Sequence, residues 1–196
     1  MGHAEPRQAV LAHLTQPAAR QASMPEAAPE SEASIGPVAS LHPGKSFEAD
    51  PDSVEFRKER GTADRRLFAV AFTDVAENDW FWLVAAELDE GGGWTAHGVA
   101  GGSDGPAPDR RRGLTQAAPW LNLCGQWGAD RFYAGGELHV GISRVGLVRI
   151  TLADGTQLTD DGDADVALFV GRRGDPPTVV DIFATNGMLL SSRTAF

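Results

Sequence analysis

The chain is poor in several features that would narrow its role. Its 196 residues include one cysteine, Cys124. No intrachain disulfide can therefore form, which tilts the expectation toward a reducing compartment. Lysine is nearly absent, with only Lys45 and Lys58. Basic charge is short overall: 17 Lys and Arg stand against 27 Asp and Glu, for a net charge of −10. A polyanion such as DNA is repelled by that balance, because its binding relies on cationic side chains displacing counterions. Long apolar runs are missing too. None approaches the ~18 residues of a membrane-crossing helix. The first residues, Met1 to Pro6, lack both a basic start and an apolar stretch, so no secretory signal and a cytoplasmic location are expected.

Hydrophobic residues make up 42% of the chain and charged residues 22%, as in an ordinary globular protein. The counts of 23 Gly and 12 Pro favour many turns over long helices. Residues 1–46 stand apart. From Pro17 to Pro43 they are built of Ala, Pro, Glu and Ser, too little apolar surface to offset ordering entropy. Before that, Val10, Leu11 and Leu14 share one face of a short helix that would end near Pro17. The segment is expected to be disordered, or helical when docked.

From Phe47 the pattern turns to strands. Leu67–Val75, Trp80–Leu88 and Trp94–Ala100 are apolar runs, the last two joined by an acidic, Gly-rich turn. Gly101–Gly113 reads as a polar loop, and Leu114–Leu123 as one helical turn or an irregular stretch. Arg131–Ala134 and Glu137–Val140 flank Gly135-Gly136, which suggests a bulge or bend. Val145–Leu152 alternates, with Val148, Ile150 and Leu152 on one side. Asp154-Gly155 and Asn186-Gly187 read as two-residue type I′ hairpin turns. Val166–Val170 and Thr178–Thr185 complete a set of eight or nine short strands.

Two stretches, RVGLVRITLADGTQLTDDGDADVALFV and PPTVVDIFATNGMLLSS, carry a resemblance. In their order of strand, ADG turn, acidic loop, Phe-containing strand and Asn-Gly hairpin, they resemble a loosely defined group of β-rich proteins from high-GC bacteria. The likeness covers about the last 60 residues. It implies a β fold and no particular activity.

Several motifs invite chemistry and are tested by context. Ala39 to Ser46 fits a loose phosphate-loop pattern, but proline precedes it and an acidic, proline-broken stretch follows, so no helix N-terminus meets the anion. Gly101-Gly102-Ser103-Asp104-Gly105 fits a nucleophile elbow, yet Pro106 and Pro108 block the helix that motif needs. Asp160, Asp161, Asp163 and Asp165 crowd one turn and offer hard oxygen ligands for calcium. They lack the Gly and Glu positions of the helical calcium loop, and a wet acidic turn is the plainer reading. Arg110, Arg111 and Arg112 form a cationic fork suited to a carboxylate or phosphate, or to an acidic partner surface. Trp80, Trp82 and Trp94 form a platform for a sugar or aromatic ligand if the hairpin aligns them, and a core otherwise. His97, His139 and Cys124 fit no zinc spacing, and Cys124 reads as a small buried apolar residue.

The expected fold is therefore mostly β. It is an antiparallel β-sandwich, immunoglobulin-like or jelly-roll-like, over residues 47–196 behind the 1–46 segment. The expected function is a non-catalytic binding or protein-interaction module that meets another protein and uses no cofactor, nucleic acid or membrane. The competing expectation is a small enzyme, such as a hydrolase, that pairs His97 or His139 with a carboxylate in a pocket.

Overall fold

The computed structural model describes residues 5–16, 48–103, 118–140 and 144–195. Within them the chain is mostly antiparallel β, as its alternation and turns predict. One short helix, α1 (Pro6–Leu14), precedes twelve strands. No helix among the described residues is long and apolar enough to cross a membrane.

The first sheet is an up-and-down meander of β1 (Glu55–Gly61), β2 (Arg65–Thr73), β3 (Asp79–Leu88) and β4 (Trp94–Ser103). The second is centred on β7 (Phe132–His139). One side of β7 pairs with β10 (Val166–Gly171), and the other with two short strands, β5 (Trp120–Leu121) and β6 (Cys124–Trp127). The third runs in the order β12 (Leu189–Thr194), β11 (Pro177–Ala184), β8 (Val145–Leu152) and β9 (Gln157–Asp160).

The three sheets stack. Alternate residues of the middle sheet face opposite ways, as the period of a strand requires. Tyr133, Val166 and Leu168 pack against Leu67, Ala69, Phe81 and Leu83 of the first sheet. Phe132, Ala134, Leu138, Ala167 and Phe169 pack against Val148, Ile150, Val180 and Ile182 of the third. The sandwich thus has one sheet more than the usual pair. That explains the near-continuous apolar character of β10 (VALFVG), which is covered on both faces. Each large side chain so buried contributes about 1.5–3 kcal/mol.

β3 is buried through Ala86 on both faces for a different reason. Its inner face meets the middle sheet, and its outer face lies in a cluster with α1. Of the two expectations for the N-terminal segment, Pro6–Leu14 takes the helical one. Val10 and Leu14 are fully buried against the first sheet. Residues 17–47 lie outside the described residues.

Four hairpins use one reversal. In each, an N–H closes back over three residues and the third residue adopts positive φ: Glu77 (62°), Gly92 (79°), Gly155 (85°) and Gly187 (82°). This corrects the type I′ expectation for Asp154-Gly155 and Asn186-Gly187. A type I′ turn needs two residues at positive φ, and here only the glycine has it. The acceptor side chains explain why. Asp154 Oδ1 accepts from Thr156 N at 2.8 Å and Asn186 Oδ1 from Met188 N at 3.1 Å, so each holds its residue in the ordinary region.

Gly135 and Gly136 also read differently from expectation. β7 runs through both without a break. A Cβ at Gly136 would lie 1.8 Å from the Asn122 carbonyl oxygen. These glycines admit neighbouring backbones, and the interruption falls on the partner side, between β5 and β6.

Candidate functional site

The outer face of the first sheet is an aromatic trough with a helix in it. Strand alternation places Trp80, Trp82, Val84 and Ala86 of β3, with Phe68, Val70 and Phe72 of β2, on one side. Trp94 and Ala96 of β4 and Phe56 of β1 extend it. Trp80 and Trp82 meet edge to face at 5.9 Å, and Phe72 stacks on Trp80 at 6.4 Å. The buried Trp80 Nε1 donates to Asp74 Oδ2 at 2.8 Å. Asp74 also accepts from the backbone amides of Ala76 and Asn78. Burial pushes its carboxyl up, but those amides, with the Trp80 and Asn78 side chains, outweigh burial and hold it below the ordinary range. The three tryptophans, read from sequence as a core or, if the hairpin aligned them, a platform, do share a face. That face is covered, with Trp80 and Trp82 each 8% exposed and Trp94 half-buried.

The lid on the trough is α1. Val10 and Leu14, one turn apart on the same stripe, fill it. Arg7 reaches over the rim, with Nε 3.2 Å from Glu59 Oε2 and the guanidinium 5.3 Å from the Phe56 ring centroid. At the other end, Ala49 N donates to the Leu14 carbonyl at 3.1 Å, satisfying one of the helix's last orphan acceptors. Close approach over β4 rests on Gly98. A Cβ there would be 2.9 Å from Trp82 Nε1 and 3.7 Å from His13 Nε2.

Glu59 reaches this rim because β1 carries a bulge between Phe56 and Lys58. The extra residue shifts the alternation. Phe56 and Glu59 then face the trough, while Lys58 and Arg60 point inward, toward the acidic turn. Lys58 Nζ lies 2.6 Å from Asp160 Oδ1, 2.5 Å from Asp161 Oδ1 and 3.1 Å from the Val166 carbonyl. Arg60 adds a 2.8 Å contact to Asp160 Oδ2. The turn itself is tight, with Gly162, Ala164 and Asp165 all at positive φ.

Of the four aspartates singled out for calcium, two therefore hold a lysine ammonium. Asp163 offers Lys58 its carbonyl at 3.4 Å, and among the described residues the carboxylates of Asp163 and Asp165 pair with no cation. The hydrogen bond from Lys58, then the backbone amide of Asp163, holds the Asp161 carboxyl at about 2. Among the described residues no group of three or more His, Cys, Asp or Glu is arranged to hold a metal ion. Arg110, Arg111 and Arg112, and most of the Gly101–Gly113 loop, lie outside the described residues.

Among the described residues, the other chemically capable side chains pack within the fold. His97 on β4 packs edge to face on Tyr133 at 5.9 Å, and its buried Nε2 makes no hydrogen bond. The neighbouring carboxylate, Glu87, instead accepts from the Tyr133 hydroxyl at 2.5 Å. Burial lowers the His97 imidazole, against Glu87, which raises it. Asp181 binds Ser192 Oγ at 2.6 Å and Arg149 at 2.8 Å. Cys124 packs between the sheets, and burial, with Glu137 nearby, pushes its thiol up to about 11. His139 stacks on Trp120 at 4.0 Å, beside a cleft of about 180 Å³ lined by Trp120, Ile182, Ser191 and Arg193 among others. That lining holds no carboxylate or imidazole among the described residues.

Sequence reading pointed to the tryptophans but missed Glu59, Arg7 and Ala49. The charge-rich β1 hides its alternation behind the bulge. The only available signal was the Val10 and Leu14 stripe. No family model, curated protein or solved structure matches the chain.

Proposed function

We propose that this chain is a non-catalytic protein-interaction module whose first sheet receives a short amphipathic helix on its aromatic outer face. The observation that carries the reading is the seating of α1. A nine-residue helix is too short to persist alone in water, so α1 owes its shape to the trough it occupies. The mode is helix-in-groove recognition, in which apolar anchors at helical spacing fill an apolar channel. The engagement of His97, Glu87, Asp160, Asp181 and Cys124 in packing and ion pairs also favours binding over catalysis.

The test is made on the full chain. Val10→Asp with Leu14→Asp expels α1, since each charge would have to enter an apolar site unpaired. A synthetic peptide of residues 5–16 is then titrated against tryptophan fluorescence. Saturable binding to the variant, with far weaker binding to the unsubstituted chain, is expected. An absence of saturation, with the β-sheet circular dichroism intact, refutes the proposal.

A further inference from the structure

We propose that the cleft between the second and third sheets is a site for a small aromatic monocarboxylate, held by Arg193 and by the ring of Trp120. It is separate from the α1 trough, which lies on the first sheet, and does not rest on the helix-receiving reading.

β12 is an edge strand of the third sheet. Its register sets Ser191 opposite Ile182 and Arg193 opposite Val180. Residues directly paired across antiparallel strands share a face. Val180 and Ile182 belong to the core between the second and third sheets. Ser191 and Arg193 therefore face that interior, where apolar side chains would ordinarily stand. The opposing layer stops short there, because β5 contributes only Trp120 and Leu121. What remains is a cleft of about 180 Å³ lined by Arg193, Ser191, Val180, Ile182 and Trp120 among others.

Arg193 lacks a counter-ion. The chain has 27 acidic groups for 17 basic ones. Arg149, on the outer face of the same sheet, holds Asp181 at 2.8 Å. Among the described residues Arg193 pairs with no carboxylate, and none lines the cleft. An inward-pointing charge can guard an edge strand against pairing with another chain. That role needs no hole beneath the charge and no aromatic wall beside it. Here the wall is fixed in advance. Trp120 stacks on His139 of β7, with centroids 4.0 Å apart and planes at 12°. Strand pairing sets the same two residues opposite each other.

Each part of the lining selects one feature of the ligand. The guanidinium fork matches a carboxylate, and Ser191 on the same face offers it a hydroxyl donor. A single cation in a chain of net charge −10 suits one negative charge rather than a phosphate dianion or a polyanion. Val180, Ile182 and the indole favour a flat apolar body. Pockets for drug-sized ligands hold roughly 300–1,000 Å³, so this smaller cleft suits a body of about one ring.

The probe is benzoate, titrated into the isotope-labelled full chain. The readout is the nuclear magnetic resonance shift of the Trp120 indole N–H and of the amides of residues 191–194. Saturable shifts with a Kd of about 1 mM are expected for a ligand of about nine non-hydrogen atoms. Benzamide has the same shape without the charge, and acetate the charge without the ring. Each should bind about tenfold more weakly. Arg193→Gln should weaken benzoate about tenfold and leave benzamide within about twofold. Arg193 is exposed, so the substitution spares the fold, which an unchanged β-sheet circular dichroism verifies. Equal binding of benzoate and benzamide, or of benzoate to both chains, would overturn the role of Arg193. Equal binding of acetate and benzoate would overturn the aromatic body. A response still linear at about 10 mM would remove the site altogether.

Discussion

Replacing Lys58 with methionine tests the cluster that ties the three sheets together at one edge. Lys58 and Arg60 come from the first sheet, the Val166 carbonyl from the second, and Asp160 from the third. The Asp160 side chain is 0% exposed and that of Lys58 13%. Lys58→Met keeps the apolar stem and removes the charge, leaving Asp160 buried with only Arg60 Nη1 and Gly162 N as partners. Breaking a buried pair from one side costs roughly 3–5 kcal/mol, and the retained arginine places this case near the lower end, about 3. For a chain of this length that lowers Tm by about 6–12 °C. Adding Asp160→Asn should restore most of the loss, because the uncompensated charge is then gone. Thermal unfolding followed by circular dichroism, with and without the second substitution, decides it. A single-variant shift under about 2 °C, or a double variant worse than the single, would refute the account of Lys58 as the inter-sheet counter-ion.

Two further outcomes follow from the geometry. Glu77 stands at φ 62° in a reversal where the three matching hairpins use glycine, so Glu77→Gly should stabilise the chain by about 1 kcal/mol in denaturant titrations; a loss of stability would count against the shared turn geometry. Acid should release α1. Burial first, and then the nearby His97, lower the His13 imidazole from its ordinary 6.5. The undocked helix therefore takes up a proton that the docked one resists. The contribution of His13 to docking is therefore fully present above pH 6.5 and is lost as pH falls through the lower docked value. The protection of α1 amides, each rate taken relative to its intrinsic rate at the same pH, should fall from pH 7.5 to 5 in the chain and stay flatter in His13→Gln, and a pH-independent protection would exclude His13 as the proton acceptor.

Much of the fold was open to local reading. The runs at Leu67–Val75, Trp80–Leu88 and Val145–Leu152 became β2, β3 and β8 within a few residues. The reversals at Asp154-Gly155 and Asn186-Gly187 lie where their residues place them, although their type differs. β1 was missed because five of its seven residues are charged and its bulge breaks the alternation. β5 and β6 were missed because strands of two and four residues carry no period. Of the candidate site, the three tryptophans were named in advance. Whether they formed an open platform or a covered wall could not be read from them.

The sequence by itself determined that the chain is mostly antiparallel β and where it turns back. Strand alternation, and the preference of Gly, Asn and Asp for reversals, act over a few neighbouring residues. Only the tertiary structure decided that there are three stacked sheets, that Lys58 meets an aspartate 102 positions away, and that α1 lies over the tryptophans with Arg7 on Glu59. Those pairings join segments distant along the chain. Their free energy comes from burial and charge compensation, which depend on how the layers stack and not on any local pattern.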